Sequence, residues 1–238
     1  MAALEGSTVV ITGASRGLGR ALAESLAPHR TNLVLCARGA PELEAAGAAC
    51  RERGAQVVTV VADVSLPRDT ERLTATALGR FGVVDILVNN ASSLGPAPLP
   101  YLSDAPADAL DELLRTNLVG PLRLTQALLG GMLLRERGLV VNISSDAAVT
   151  GYPGWGLYGA SKAALDALTR AWSAELQGSG VRLISVDPGD MDTAMHRAAD
   201  PDADPAELAR PADVAERLVT LLAGEVPAQD RVEVAALP

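Results

Sequence analysis

Short apolar runs alternate with longer amphipathic stretches along the chain. Thr8-Val9-Val10-Ile11 is a β-branched run of buried-strand length. An Ala- and Leu-rich helical stretch follows to about Leu26, and Pro28 ends it. Asn32-Leu33-Val34-Leu35-Cys36 predicts a second strand, and 41–53 a helix stopped at Gly54. A third strand is expected over 56–61, a helix over about 67–81, and a fourth strand at Asp85-Ile86-Leu87-Val88. Residues 106–136 read as one or two helices around Asn117, interrupted at Gly120-Pro121. A fifth strand runs from Leu139 to Ile143, a helix from Tyr158 to about Gln177, and a sixth strand over 181–186. The last helix starts at Pro211-Ala212-Asp213, and the alternation of Arg231-Val232-Glu233-Val234 predicts a short closing strand. Residues 195–210 are rich in Ala, Asp and Pro and hold little apolar surface, so they read as a mobile segment, a lid beside the site.

A strand repeatedly followed by a helix predicts an α/β fold, a Rossmann-type doubly wound parallel sheet with helices on both faces. Ligands bind off the carboxyl ends of such strands. The glycine loop, Asp63, Asn90 and Ser145 all fall at those ends.

Composition narrows the class. The 238 residues suit one domain spanning the whole chain. Hydrophobic residues make up 48% and aromatics only 3%, so the core is expected to be built from Ala, Val and Leu. A net charge of −9 argues against a nucleic-acid partner and against an anionic membrane surface. No apolar run reaches the length of a membrane span. Met1-Ala2-Ala3-Leu4-Glu5-Gly6 lacks a basic region followed by an apolar stretch, so no signal peptide is read. Cys36 and Cys50, the two cysteines, lack metal-ligand spacing and read as reduced thiols of a cytoplasmic protein.

Two stretches carry chemistry. Thr12-Gly13-Ala14-Ser15-Arg16-Gly17-Leu18-Gly19 joins the first strand to its helix. Glycines there let the backbone approach a pyrophosphate, and the free N–H groups of the helix start offer an anion site. No Gly-Lys-Ser/Thr follows, so this is not a P-loop. At the end of the second strand, an acid would bind the ribose 2′-hydroxyl of NAD. This chain has Ala37-Arg38 there, and Arg16 is a second cation. Two guanidiniums near one ribose suit a phosphate dianion, which favours NADP(H). Asp63 reads either as an acceptor for the adenine amino group or as a turn carboxylate.

The second stretch is Tyr158-Gly-Ala-Ser-Lys162, whose spacing puts Tyr158 and Lys162 on one helix face. An ammonium one turn from a phenol is expected to lower the phenol's pKa from about 10 and make it a usable acid–base group. The strand ending in Ser144-Ser145 supplies a hydroxyl for the same oxygen atom. Asn117, an amide inside an apolar helix, either ties down a kink or holds a water near the site.

Together these residues resemble the classical short-chain dehydrogenase/reductases. The glycine loop, the Asn89-Asn90-Ala91 turn, Asn117, Ser145, Tyr158-x-x-x-Lys162 and Pro188-Gly189 stand in that family's order and spacing. The resemblance implies that Tyr158 donates the proton to a carbonyl oxygen, while Lys162 lowers the Tyr158 pKa and binds the nicotinamide ribose. It implies that Ser145 hydrogen-bonds the substrate oxygen and that Asn117 holds a water of a proton relay. Gly13, Ser15, Arg16, Gly17, Leu18, Gly19, Arg38, Asp63, Val64, Asn90, Pro188 and Gly189 would contact the cofactor, with Thr193 and the backbone near Met191 holding its carboxamide. Ser92 departs from the glycine usual after Asn-Asn-Ala, and the glycine-rich end common in acyl-carrier-protein reductases is missing after Val234. Gly154-Trp155-Gly156-Leu157-Tyr158 and Pro188-Gly189-Asp190-Met191-Asp192-Thr193 are locally similar to sepiapterin reductases.

The expected reaction is hydride transfer from NADPH to a small ketone or aldehyde, reversible toward the alcohol. A pocket lined by Leu94, Val149, Tyr152, Trp155, Met191 and Met195 would hold the substrate, with His196 on the lid surface. The competing reading is a sensor or scaffold that binds NADP(H) without turnover; it has no need of Tyr158 or Lys162. An epimerase or dehydratase acting on nucleotide sugars would need a larger substrate region than this length leaves. Helices apolar on more than one side, at 106–130 and 158–177, suggest a homodimer or homotetramer.

Overall fold

The structure, a computed structural model, describes residues 4–224 and 230–236. Met1-Ala2-Ala3 of the N-terminal reading lies outside the described residues. Among the described residues seven strands form one sheet in the order β3-β2-β1-β4-β5-β6-β7, and every neighbouring pair is parallel. They are β1 (Thr8–Thr12), β2 (Asn32–Ala37), β3 (Gln56–Val61), β4 (Ile86–Asn89), β5 (Gly138–Ile143), β6 (Val181–Asp187) and β7 (Arg231–Glu233). Parallel neighbours need crossovers, and helices supply them. These are α1 (Gly17–Leu26), α2 (Ala40–Glu52), α3 (Pro67–Phe81), α4 (Ala107–Leu114), α5 (Gly120–Leu134), α6 (Gly156–Glu175), α7 (Ala194–Ala199) and α8 (Pro211–Ala223).

Successive strand side chains point to opposite faces, so a strand buried on both sides feeds two cores. Val9 and Ile11 pack with Leu33, Leu35, Val141, Ile184 and Val186 under α1, α2 and α8. Val10 packs with Val34, Leu87, Val140 and Leu183 under α3 and α5. Leucine, valine and alanine dominate both cores. Leu22 and Leu26 of α1 are fully buried, and truncating either to Ala would cost about 2–5 kcal/mol. Cys36 and Cys50 are buried free thiols. Burial pushes them up to about 12 and about 11, so neither is a nucleophile at neutral pH. Among the described residues no helix is long and apolar enough to cross a membrane.

One helix reading needs correction. The chain from α4 to α5 is not interrupted at Gly120-Pro121. The irregular turn is a π-helical segment, Arg115–Val119, centred on Asn117, where the Gly120 N–H reaches the Arg115 carbonyl. Pro121 follows inside this continuous run, and its missing N–H leaves one carbonyl of the preceding turn without a helical donor. The 195–210 stretch carries α7, and Met191 bridges to Ala209 across it.

Candidate active site

The carboxyl ends of β1, β2, β4, β5 and β6 open onto one cleft of about 930 Å³. The glycine loop forms one wall. Gly17 has φ +55, a left-handed conformation that favours glycine, and faces Thr193 across the opening. A Cβ at Gly19 would lie 2.5 Å from both the Asn90 side-chain nitrogen and the Gly13 carbonyl. Asn90 lines the cleft but does not simply reach into it. Its amide donates to the carbonyls of Thr12 (2.8 Å) and Gly13 (3.2 Å) and so braces the loop. Arg16 precedes α1 with no side-chain cap, which leaves the first N–H groups of the helix to a ligand.

Arg16 and Arg38 are exposed, line the cleft, and have no ion pair among the described residues. They fit an added phosphate. Glu42, in the first turn of α2, lines the same end of the cleft. This acid lies past Ala37-Arg38, outside the strand end where the sequence places the ribose. Asp63 is a turn carboxylate that also lines the cleft: its Oδ1 accepts from the Ser65 N–H at 2.9 Å. Ser15, Leu18 and Val64 line the cleft beside it.

Tyr158 and Lys162 rise from α6 toward the end of β5, and both are buried. Lys162 Nζ donates to the Ile143 carbonyl at 2.7 Å and lies 5.6 Å from the Tyr158 ring centre. Burial lowers the Lys162 ammonium to about 8, opposed by the charge of Asp166. The expected depression of the tyrosine is corrected here. Burial pushes the Tyr158 phenol up to about 12, and hydrogen bonds from Ser92 and Ser145 only partly offset it. Desolvation disfavours the charged form, and the carboxylates of Asp187 and Asp146 push the same way.

Ser145 Oγ donates to Asp146 Oδ1 at 2.9 Å and accepts from the Ala147 N–H at 3.1 Å. Burial pushes Asp146 up, but hydrogen bonds from Tyr152, Ser145 and the Ala147 N–H, together with Arg231, hold it below the usual carboxylate range. Asn117 is buried, and its side chain is fully engaged by protein groups. It donates to the Ser93 carbonyl and to Ser161 Oγ, both at 2.9 Å, and accepts from the Ser93 N–H and Ser92 Oγ. The amide therefore ties down the 92–93 turn and α6; it has no donor left for a water. Ser92, in the sequence only a departure from glycine, links Asn117 to Tyr158.

The remaining wall follows β6. Asp187 Oδ1 accepts from the Gly189 N–H at 3.0 Å and shapes the Pro188-Gly189 turn. Burial pushes Asp187 up, against Gly189 and Arg231, which pull it down. Thr193 Oγ1 caps α7 by accepting from the His196 N–H. Leu94, Trp155, Met191 and Met195 line the cleft, but Val149 and Tyr152 do not; they are 67% and 42% exposed. His196 is not on the outer surface: its side chain is 14% exposed and faces Asp190 at 3.7 Å.

A family profile described as short chain dehydrogenase matches residues 7–204. Similar curated proteins include a 3-oxoacyl-(acyl-carrier-protein) reductase of Vibrio cholerae, 31% identical over 216 residues, covering 87% of this chain and 82% of that protein. Glycine betaine reductase ATRR of Emericella nidulans is 36% identical over 190 residues, 80% of this chain, but the chain spans only 15% of its length. Among solved structures, levodione reductase superposes with TM-score 0.88 at 29% identity, covering 98% of this chain and 99% of that one. A single-substitution variant of actinorhodin polyketide ketoreductase with NADPH gives TM-score 0.85 at 29% identity, covering 96% and 95%. A profile match over most of the chain, on top of a parallel sheet whose strand ends gather a glycine loop and a Tyr-x-x-x-Lys helix, leads to one conclusion: the chain belongs to the short chain dehydrogenase family.

Proposed function

We propose that this oxidoreductase is a cytoplasmic NADPH-dependent reductase of a small ketone or aldehyde, able to run in reverse on the alcohol. The observation that carries this reading is that Ser145, Tyr158 and Lys162 share one wall of a cleft whose far end is the glycine loop. Bound NADP(H) would supply the hydride. Gly13, Ser15, Gly17, Leu18 and Gly19 would hold its pyrophosphate by main-chain contact, and Arg16 and Arg38 its 2′-phosphate. Asp63, Val64 and Asn90 would bound the adenine side and the loop, while Pro188, Gly189, Met191 and Thr193 would bound the carboxamide side.

The protein's own part is orientation and proton transfer. Ser145 and Tyr158 line the same cleft, so a carbonyl oxygen placed between them would meet both hydroxyls as charge develops on it, the Ser145 proton turning to it from Asp146 Oδ1. A phenol kept protonated by burial is the form that reduction needs, since Tyr158 Oη then donates its proton to that oxygen. Lys162, largely charged at neutral pH, would bind the nicotinamide ribose and balance the phenolate left behind. Asn117 acts through Ser92, Ser93 and Ser161 to hold the tyrosine's surroundings in place. Residues 195–210 would close over the substrate, and the active form would be a homodimer or homotetramer.

The test is steady-state oxidation of NADPH and NADH, side by side, with a panel of ketones, aldehydes and diketones. Turnover with NADPH preferred supports the reading. Tight NADPH binding without turnover of any of them leaves a nucleotide-binding sensor or scaffold.

A further inference from the structure

Arg231 opens β7 at the edge of the sheet, far in sequence from every residue discussed as chemistry. Its guanidinium makes three charge-assisted contacts at once. Nη1 donates to Asp166 Oδ2 at 3.1 Å, and Nη2 donates to Asp187 Oδ2 at 2.8 Å and to the Ser145 main-chain carbonyl at 3.1 Å. Both carboxylates are buried, with side chains 4% and 8% exposed, and the arginine itself is 21% exposed. The second oxygen of Asp166 has no hydrogen-bond partner among the described residues. An unpaired buried carboxylate is costly, and Arg231 is the cation that hydrogen-bonds both acids.

Each contact leads to a different part of the cleft. Tyr158, Lys162 and Asp166 follow one another at four-residue steps and therefore lie along one face of α6. The Ser145 carbonyl belongs to the residue that caps the serine turn and lines the cleft with Tyr158. Asp187 receives the Gly189 N–H with its other oxygen and so fixes the turn that opens the 188–193 wall. A flat guanidinium with several donors in fixed directions can hold three acceptors in register; an ammonium, a single point of charge, cannot.

We infer that Arg231 is a positioning residue: it locks the serine turn, the Tyr158–Lys162 face of α6 and the Pro188-Gly189 turn into one alignment. The inference rests on the proposed reductase activity. It predicts a larger effect on the reacting geometry than on nucleotide binding, because Arg231 touches none of the residues of the glycine loop and reaches the nicotinamide side only through Asp166, Asp187 and Ser145. A misalignment of about 1 Å at a reacting centre is enough to lower turnover by two orders of magnitude.

The experiment compares Arg231→Lys and Arg231→Gln with the unaltered full chain. It reads kcat and KM for the ketone at saturating NADPH, NADPH affinity by fluorescence, and thermal unfolding. Arg231→Lys restores the charge but not the fork, so kcat is expected to fall on the order of tenfold, with KM and NADPH affinity within about twofold. Arg231→Gln, which also takes the hydrogen-bonded cation from two buried carboxylates, should fall further, on the order of a hundredfold. Two results overturn the inference: unaltered kcat in Arg231→Lys, or a loss in Arg231→Lys that lowers kcat, NADPH affinity and melting temperature together, as a merely structural role would. Failure of the reductase reading looks different, because then the unaltered chain itself turns over no ketone.

Discussion

The ammonium of Lys162 stands over the Tyr158 ring, 5.6 Å from its centre, while donating to the Ile143 carbonyl at the end of β5. The pair is thus anchored to the sheet and to the helix at once. Its proton chemistry follows from burial: the phenol is held up and the ammonium held down. Replacing Tyr158 by Phe removes the acid and leaves the apolar ring in place. Turnover is expected to fall by at least about a hundredfold, the scale of general acid catalysis, with NADPH affinity unchanged. Stopped-flow reduction and nucleotide titration check this together, and normal turnover in the variant would remove Tyr158 from the mechanism.

Burial of Lys162 has a signature in stability. Its ammonium titrates near 8 in the folded chain and near 10.5 when unfolded. Between those values the unfolded state binds more protons, so the stability contribution of this group rises with pH across that window. Below about pH 8 both states are charged, and the full cost of burying the charge is present. Tyr158 acts in the opposite direction, between 10 and about 12, where the folded state binds more protons and stability falls. The melting temperature of the unaltered chain, minus that of Lys162→Met, should therefore climb from about pH 8 to about pH 10. A flat difference would mean that the buried amine carries no such penalty.

Cofactor preference should follow charge at the end of β2. Arg16→Ala with Arg38→Ala removes both cations and is expected to raise KM for NADPH at least about tenfold with little change for NADH, each lost charge-assisted contact contributing roughly 1.5–3 kcal/mol. Glu42→Gln should work the other way and strengthen NADPH binding, since a carboxylate facing a phosphate repels it. Equal effects on both nucleotides would place the two arginines away from the ribose.

The helix and strand pattern is legible in the sequence because it is local. The 67–81 helix and the 56–61 strand match their predicted bounds residue for residue, since periodicity is a property of neighbouring residues. The Tyr158–Lys162 pair is visible for the same reason. What lies hidden depends on distance in the chain or on solvation. Arg231 meets partners 44, 65 and 86 positions away, and an alternating four-residue stretch gives no sign of that. The π turn at Asn117 arises because the amide is drawn to the 92–93 turn and to Ser161, none of which is near it in sequence. The direction of the tyrosine's titration escapes the sequence because spacing shows the lysine but not the burial that sets the direction.

Ser92 bears on the same titration. Its hydroxyl pulls the Tyr158 phenol down from the value burial would impose, by turning its proton from Asn117 Oδ1, 3.2 Å away, to the phenolate as that forms. Ser92→Gly removes that pull, so the phenol should titrate higher still. Oxidation of an alcohol, which needs the deprotonated phenol as base, should slow by about tenfold for each unit of added pKa, while reduction is less affected. The alkaline limb of the oxidation rate must then move to higher pH. An unmoved limb would show that Ser92 only fills space beside the ring.

The last prediction concerns how closely α6 can approach the serine turn. Gly159 lies immediately after Tyr158, and a Cβ there would stand 2.6 Å from the main-chain carbonyl of Ala147. A carbonyl in a hydrogen-bonded turn cannot swing aside as a flexible side-chain tip can. This one belongs to the short 3-10 turn that Ser145 caps. Gly159→Ala must therefore push α6 away from the turn, at a cost of about 1–3 kcal/mol for overpacking, offset by roughly 1 kcal/mol from alanine's better helix propensity. The displacement separates Tyr158 from Ser145, and activity depends on that distance more steeply than stability does. The expected result is a folded protein with a melting temperature within several degrees of the original, intact NADPH binding and a kcat lowered at least about tenfold. Should Gly159→Ala keep full turnover, the helix and the serine turn tolerate separation, and the geometry argued for the two hydroxyls is not what sets the rate.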